Sequence, residues 1–511
     1  MLLLRELLPD LPYAHPHGDV DISIGGIAYD SRLVRSGDLF VAMPGFHTNG
    51  AVFIADAVQR GAVAVVTQQP DARIPEGIPW VLVPEARRAL ADLAAAFYRH
   101  PARQLRVVGV TGTDGKTTTT HLVSAVLEAM GYKTGLVTTV DVKVGGQAWY
   151  NDTQHTTPEP VEVQRWLRQM VDAGVDYAVL EASSHALALD RLLHCEFDAA
   201  LFTNLSPEHL NFHGSMENYL RDKSRLFGML DGAIWKGVEK AAILNADDPH
   251  SHQIRGSTGA RALWYGLNPT HHSSVVTRDS FVTATNVELL PGGSRFLLVT
   301  TIGSVQAESR LAGQFNIYNW LGAAALGLSQ GASLEQIRQA MALVSSVPGR
   351  MQRIERGQPF TVVVDFAHTP QALETVLATL RPITPGRIFV LFGLAGERDQ
   401  ANRPKMGRIA ARFADFAIFT MDDPRFEDPL EIAEQIAAGA REEGWREGEH
   451  YLKVADREEA ITEAFWRARP GDTVLLAGKG HERRQVIGAG LVPWNDAEVA
   501  ERLLEAHIWE R

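Results

Sequence analysis

A single cysteine in 511 residues, Cys195, excludes an intramolecular disulfide and any cysteine-built metal cluster, and such a chain suits a reducing cytosol. Cys195 reads as a small buried hydrophobe. No stretch of about eighteen apolar residues occurs either. The N-terminal MLLLRELLPDLP carries Arg5 and Glu6 inside its apolar run, so neither a signal peptide nor a membrane span is read there and a cytoplasmic protein is expected. Basic excess is also missing. A net charge of −12 with a pI near 5.8 argues against a general nucleic-acid or membrane-surface binder and leaves only local basic pockets for anions. What is there, 45% hydrophobic and 22% charged residues, is ordinary for a globular protein. At 511 residues the chain exceeds what one core serves, so two to four domains are expected.

The most informative stretch is Val107 to Thr120, VVGVTGTDGKTTTT. An apolar run, Leu105 to Val110, leads into a loop with Gly112 and Gly115, and Lys116 then opens a helical pattern through Met130. Glycines let loop N–H groups turn inward, the helix N-terminus adds partial positive charge, Lys116 supplies a full one, and the Thr117 hydroxyl can ligand Mg²⁺. A nucleoside triphosphate fits such a loop. The strict pattern wants glycine five positions before Gly115, where Val110 stands. The competing reading is plain strand-to-helix geometry.

Short apolar runs alternating with helical patterns make residues 1–102 a small α/β region. Within it, the polar loop from Asp30 to Gly45 allows two readings of Arg32: a diphosphate ligand beside Ser31, or an internal Asp–Arg pair. His100 to Arg103 reads as a linker. In residues 103–346, several apolar runs end in polar residues, as ligand-gathering strand ends do in parallel sheets. Glu181, after Tyr177 to Leu180, is placed to hold Mg²⁺ or to cap the next helix. The segment with His209, His213 and Lys223 is suggestive of a site, or of a polar surface. Residues 347–511 alternate strands and helices as a Rossmann-like sheet without a dinucleotide fingerprint.

GTDGKTTT, LEASSHAL, FTNLSPEHLNFHGSMENY with Asp222-Lys223, LAGQFNIYN, PGRMQ, DFAHTPQALE, GERDQANRPKMG, DDPR and AGKGHE follow one another from Asp30 to about Leu504. In that order they resemble the Mur ligases, and among them the enzymes that add the third stem-peptide residue of bacterial peptidoglycan. The resemblance implies an α/β protein of three domains. These are a UDP-binding α/β domain (1–102), a central P-loop ATPase-like parallel sheet (103–346) and a Rossmann-like amino-acid-binding domain (347–511). It implies a monomer that uses ATP and Mg²⁺ to join a diamino acid to UDP-MurNAc-L-Ala-D-Glu.

By the same resemblance, Gly112, Thr113, Asp114, Gly115, Lys116, Thr117 and Thr118 hold ATP, which Arg350, Asp365 and His368 also meet. Thr117, Glu181, His209 and Lys223 serve the metal ions, with Lys223 carbamylated to N6-carboxylysine. Asp30, Ser31, Arg32 and Asn49 fall on the nucleotide-sugar pocket, and Thr156, Thr157, Ser183 and Arg191 on the muramoyl dipeptide. Arg398, Asp422, Asp423, Pro424, Arg425, Gly478 and Glu482 match positions that recognise the diamino acid. Relatives commonly have Asp-His-Leu-Asp where this chain has Glu208-His209-Leu210-Asn211, one negative charge fewer beside the metal histidine. Diaminopimelate enzymes usually carry Asp-Asn-Pro-Arg, and here Asp423 replaces the amide. An extra carboxylate repels a second substrate carboxylate and attracts a terminal ammonium, so L-lysine or L-ornithine is expected ahead of meso-diaminopimelate, which Arg425 keeps open. The rivals are a folate- or cyanophycin-type amide ligase and a non-catalytic nucleotide or precursor sensor on the same scaffold.

Overall fold

The computed structural model describes residues 2–45, 48–153, 155–268, 281–290, 292–398 and 400–510. The chain divides into two compact units, Met1–Thr283 with Val299–Gly303 and Tyr318–Ala340, and Ala284–Leu298 with Ser304–Ile317 and Met341–Arg511.

The first unit contains two principal sheets. In the smaller, the strand order is His15–His17, Trp80–Leu82, Ala64–Thr67, Asp38–Ala42, Gly26–Ala28, parallel except at the first pairing. The larger is parallel through Thr134–Val137, Tyr177–Glu181, Arg106–Thr111, Ala199–Phe202, Ala241–Asn245 and Arg261–Tyr265. Its far edge is the antiparallel hairpin Asp141–Val144 and Gln147–Tyr150. Burial on both faces explains why the central strands are continuous apolar runs rather than alternating ones. The stretch read as a linker is a 3-10 turn, Pro101–Gln104, with Pro101 and Ala102 buried. Pro101 fits the first turn, and the Ala102 carbonyl accepts the Lys236 ammonium, so the segment is packed rather than free.

The second unit carries a six-stranded sheet in the order Gln352–Ile354, Thr361–Asp365, Thr473–Ala477, Ile388–Phe392, Phe416–Phe419, Tyr451–Lys453. All pairings but the first are parallel. Side chains alternate between two cores: Val363, Val390, Leu475 and Phe419 enter one, and Val362, Phe389, Leu476 and Ile418 the other. Four strands therefore end at one edge, carrying the polar loops after Asp365, Phe392, Phe419 and Ala477.

Two of those ends are tied from behind by a fully buried ion pair. Arg457 gives Nε and Nη2 to the Asp496 carboxylate at 2.8 and 2.7 Å, Nη1 to Met421 O at 3.1 Å and Nη2 to Ala477 O at 2.8 Å. Both side chains are fully excluded from solvent. Asp496→Ala leaves the guanidinium buried without its counter-charge and is expected to destabilise this unit by about 3–5 kcal/mol. Urea unfolding should show an earlier transition, and an unchanged midpoint would contradict it.

Candidate active site

Strand Arg106–Thr111 delivers residues 112–115 to the start of helix Lys116–Ala129. Gly112, at φ +150, lies against Thr203, where a Cβ would collide with the hydroxyl; Gly115, at φ +79, leaves room for Asn319 Oδ1. Asn204 pins the turn by accepting from Thr113 N at 2.8 Å and Asp114 N at 3.0 Å. Lys116, half-buried, folds Nζ back onto Thr113 O at 2.7 Å, and Thr118 is buried in the first helical turn. Val110 is inside the strand, paired with Glu181 and fully buried, so no glycine turn is required there. That accounts for the departure from the strict loop pattern.

Thr117 and Glu181 come from adjacent elements and meet in the interior. The hydroxyl donates to Oε1 and Oε2 at 3.1 and 3.0 Å, and Oε2 also accepts Thr139 N at 2.9 Å. A hydroxyl and a fixed carboxylate side by side are the oxygen donors a hard cation takes. The carbonyl of Glu181 accepts Thr157 Oγ1 at 2.6 Å, and that hydroxyl accepts Ser183 N at 3.0 Å. Arg191 holds Thr157 O at 3.0 Å and Glu159 Oε1 at 2.5 Å, while Thr156 stands half-buried beside them in the chain. Thr157, Ser183, Arg191 and Glu181 are thereby one cluster.

Lys223, on helix Met216–Gly232, is completely buried. Its Nζ donates to Gly112 O at 2.5 Å and lies 4.4 Å from the Tyr219 ring centre. Burial first, and the Lys116 charge second, hold this ammonium well below the ordinary lysine range. His209 caps the short helix Leu210–His213 in a left-handed conformation, half-exposed, with its ring 4.7 Å from that of His185. Burial lowers its pKa despite Glu208, which favours the neutral imidazole a metal needs.

His213 has a different role. It bridges Asp222 Oδ2 at 2.8 Å and Ser184 Oγ at 3.0 Å. The order is that of nucleophile, base and orienting acid, yet all three are buried, so substrate access is missing and the bridge is structural. It ties the Ser183-Ser184 turn to the helix bearing Lys223.

Ser31 and Asn49 share the carboxyl edge of the small sheet, after adjacent strands Gly26–Ala28 and Asp38–Ala42. Ser31 is buried, Asn49 caps the next turn through Ala51 N, and Arg32 is drawn onto Asp30 at 2.6 Å with its side chain 80% exposed. The internal Asp30–Arg32 pair is present.

In the second unit, Asp365 caps the turns around it, accepting Met351 N at 2.7 Å and Ala367 N at 2.8 Å. Burial raises its pKa against the nearby Arg350, whose guanidinium stacks 4.9 Å over Phe366; His368 is exposed beside the same ring. Asp422, Asp423, Pro424, Arg425, Gly478 and Glu482 converge. Gly478, at φ +102, admits Asp422 to where its own Cβ would lie 2.8 Å away from Oδ2. Gly396 N donates to Asp423 O at 2.9 Å, which brings the loop of Arg398, an exposed side chain, alongside. Arg425 is left-handed at φ +53, anchored by its N–H on Val486 O, and its buried Nε has no hydrogen-bond partner among the described residues.

Lys479, not singled out from the sequence, stands in the middle. Its ammonium reaches Glu482 at 2.5 Å, Asp423 at 2.8 Å and Asp422 at 3.6 Å. The three carboxylates are close enough together to ligate a cation, and Lys479 fills that place. The one available signal was its spacing of three from Glu482.

Three family descriptions match: "Mur ligase family, catalytic domain" over residues 23–98, "Mur ligase middle domain" over 110–327, and "Mur ligase, glutamate ligase domain" over 349–480. The UDP-N-acetylmuramyl-tripeptide synthetase of Roseiflexus sp. (strain RS-1) is 48% identical over 511 residues, 98% of each chain. The UDP-N-acetylmuramoyl-L-alanyl-D-glutamate–2,6-diaminopimelate ligase of Geobacillus thermodenitrificans is 43% identical, covering 97% of this chain and 98% of that one. A solved structure of a UDP-N-acetylmuramoyl-L-alanyl-D-glutamate–2,6-diaminopimelate ligase superposes with a TM-score of 0.66 at 29% identity, covering 99% of both chains.

Proposed function

The chain belongs to the Mur ligase family, and from that premise we propose that it joins a diamino acid to the D-Glu γ-carboxylate of UDP-MurNAc-L-Ala-D-Glu with hydrolysis of ATP to ADP and phosphate. It is an ATP-dependent ligase of the tripeptide-synthetase type. The observation that carries the reading is the convergence of Lys116, Thr117, Glu181 and Lys223 on one glycine loop.

Residues 1–102 are assigned to the nucleotide sugar, 103–346 to ATP and the muramoyl dipeptide, and 347–511 to the diamino acid, with action in the cytoplasm as a monomer. The D-Glu γ-carboxylate attacks the γ-phosphorus, ADP leaves and an acyl phosphate forms; the amine then attacks the carbonyl and expels phosphate. Lys116 and the loop N–H groups offset charge at the phosphates, while Arg191 orients the loop of Thr157 that meets the dipeptide. Mg²⁺ fits the donor set of Thr117 and Glu181, His209 and a carbamate on Lys223 would serve a second ion, and these ions would neutralise phosphate oxygens. The carbamate forms when the Lys223 amine attacks CO₂, making an N–C bond and releasing a proton.

Arg425 is the candidate for the amino-acid carboxylate, given its unsatisfied Nε. Three carboxylates around one lysine leave a negative surplus, which favours the terminal ammonium of L-lysine or L-ornithine. Diaminopimelate is the second reading, supported by the name of the Geobacillus relative. A folate-type ligase is disfavoured by the family match over residues 23–98, and a sensor by an intact phosphate loop.

The test incubates purified protein with UDP-MurNAc-dipeptide, ATP, Mg²⁺ and each of the three amino acids separately, following ADP and product mass. Wild type is expected to prefer lysine or ornithine, and Asp423→Asn to shift the ratio toward diaminopimelate. A wild-type preference of roughly a hundredfold for diaminopimelate, about 2.7 kcal/mol, overturns that order of substrates.

A further inference from the structure

We propose that Lys479 is a specificity-determining residue: the buried counter-ion of Asp422, Asp423 and Glu482, it sets how much negative charge the diamino acid meets. This rests on the reading of these loops as the diamino-acid site. Lys479 is completely excluded from solvent, so its ammonium has lost its hydration and is held by carboxylates. Two loops supply them: Asp422 and Asp423 follow strand Phe416–Phe419, and Glu482 sits one turn beyond Lys479 after strand Thr473–Ala477.

The contact to Asp423 bears directly on substrate choice, because Asp423 stands where diaminopimelate enzymes have a neutral amide. Its Oδ1 accepts both Lys479 Nζ at 2.8 Å and Val486 N at 3.0 Å, so its charge is partly offset from inside the protein. The remaining negative charge is shared by Asp422 and Glu482. Burial, opposed by Lys479, pushes Glu482 up to about 7, with Asp422 and Asp423 adding to the rise. Besides these, Arg457 and Asp496 face the cluster from the helices behind it. A single buried cation thus decides whether Glu482 is a carboxylate that pairs with a substrate ammonium or a neutral acid that does not.

The sign follows. Removing Lys479 raises the pH at which Glu482 ionises; removing Asp423 lowers it. Wild-type kcat/KM for lysine is expected to rise as pH increases through about 7. In Lys479→Met, which keeps length without charge, that limb moves to higher pH by about one unit, read in the amino-acid KM. Adding Asp423→Asn to Lys479→Met returns the limb toward wild type, which restored charge balance produces and repaired packing does not. Lys479→Arg keeps the wild-type limb.

An unshifted limb in Lys479→Met, or a double variant whose limb stays where the single variant's lies, overturns the proposal. Thermal melting and the KM for ATP monitor folding. If Lys479→Met does not fold, Asp423→Asn alone decides: its limb moves to lower pH, and an unmoved limb overturns the proposal. Wild type that makes no tripeptide product with any of the three amino acids defeats the ligase reading itself, a result separate from these.

Discussion

Lys116→Ala is expected to lower kcat/KM by roughly 10³-fold or more, about 4 kcal/mol of transition-state stabilisation, with the fold retained. The helix N-terminus and the loop amides survive the change, because Gly112 and Gly115 keep their conformations and Asn204 still pins the turn. What disappears is the full positive charge, now parked on Thr113 O within reach of the loop it serves. Breaking that half-buried hydrogen bond costs stability on the order of 1 kcal/mol, too little to unfold the unit. ADP release and product mass, alongside a thermal melt, separate the two effects. Turnover within tenfold of wild type would refute the assignment of the phosphate site.

Lys223→Ala is expected to lose most activity, on the order of 10²-fold, and short carboxylates such as formate or acetate should restore part of it. A bare ammonium at this position would face the charge of Lys116 in a buried space with a backbone carbonyl as its hydrogen-bond partner. A carbamate reverses the sign of that charge and supplies oxygens for a cation. Activity should accordingly fall when bicarbonate and CO₂ are removed and return when they are restored. The alanine also leaves a cavity in the interior, so some loss of stability, about 2–4 kcal/mol, accompanies the chemical effect and is not rescued by formate. Mass spectrometry under bicarbonate together with a high-resolution map showing a plain ammonium away from any metal would end the idea.

The substitutions Glu208 and Asn211 bear on this second prediction. Glu208 lies 3.7 Å from His209, so a carboxylate remains beside the half-exposed imidazole. One charge is lost at Asn211, an exposed position two residues beyond His209.

Sequence alone determined the glycine loop between strand Arg106–Thr111 and helix Lys116–Ala129, because everything that makes it is contiguous: an apolar strand, glycines for left-handed turns, and Lys116 and Thr117 at the helix start. The same holds for Glu181, Asp365 and Gly478, each the end of an apolar run in a parallel sheet. Strands and helices follow from neighbouring residues, so composition and spacing carry them. The ion pairs did not follow, because they join segments far apart in the chain. Asp423 reads as an uncompensated negative charge until the sheet order sets strand Thr473–Ala477 two places from Phe416–Phe419 and brings in Lys479, 56 residues away. His213 reads as one of a surface pair until helix Met216–Gly232 packs its turn against Ser184. His100 to Arg103 reads as a linker, and only the fold shows that Lys236, 134 residues on, caps the Ala102 carbonyl. Local pattern decides conformation; which charges meet in the interior is decided by the order of strands and crossovers, since only that fixes the distance and the solvent between them.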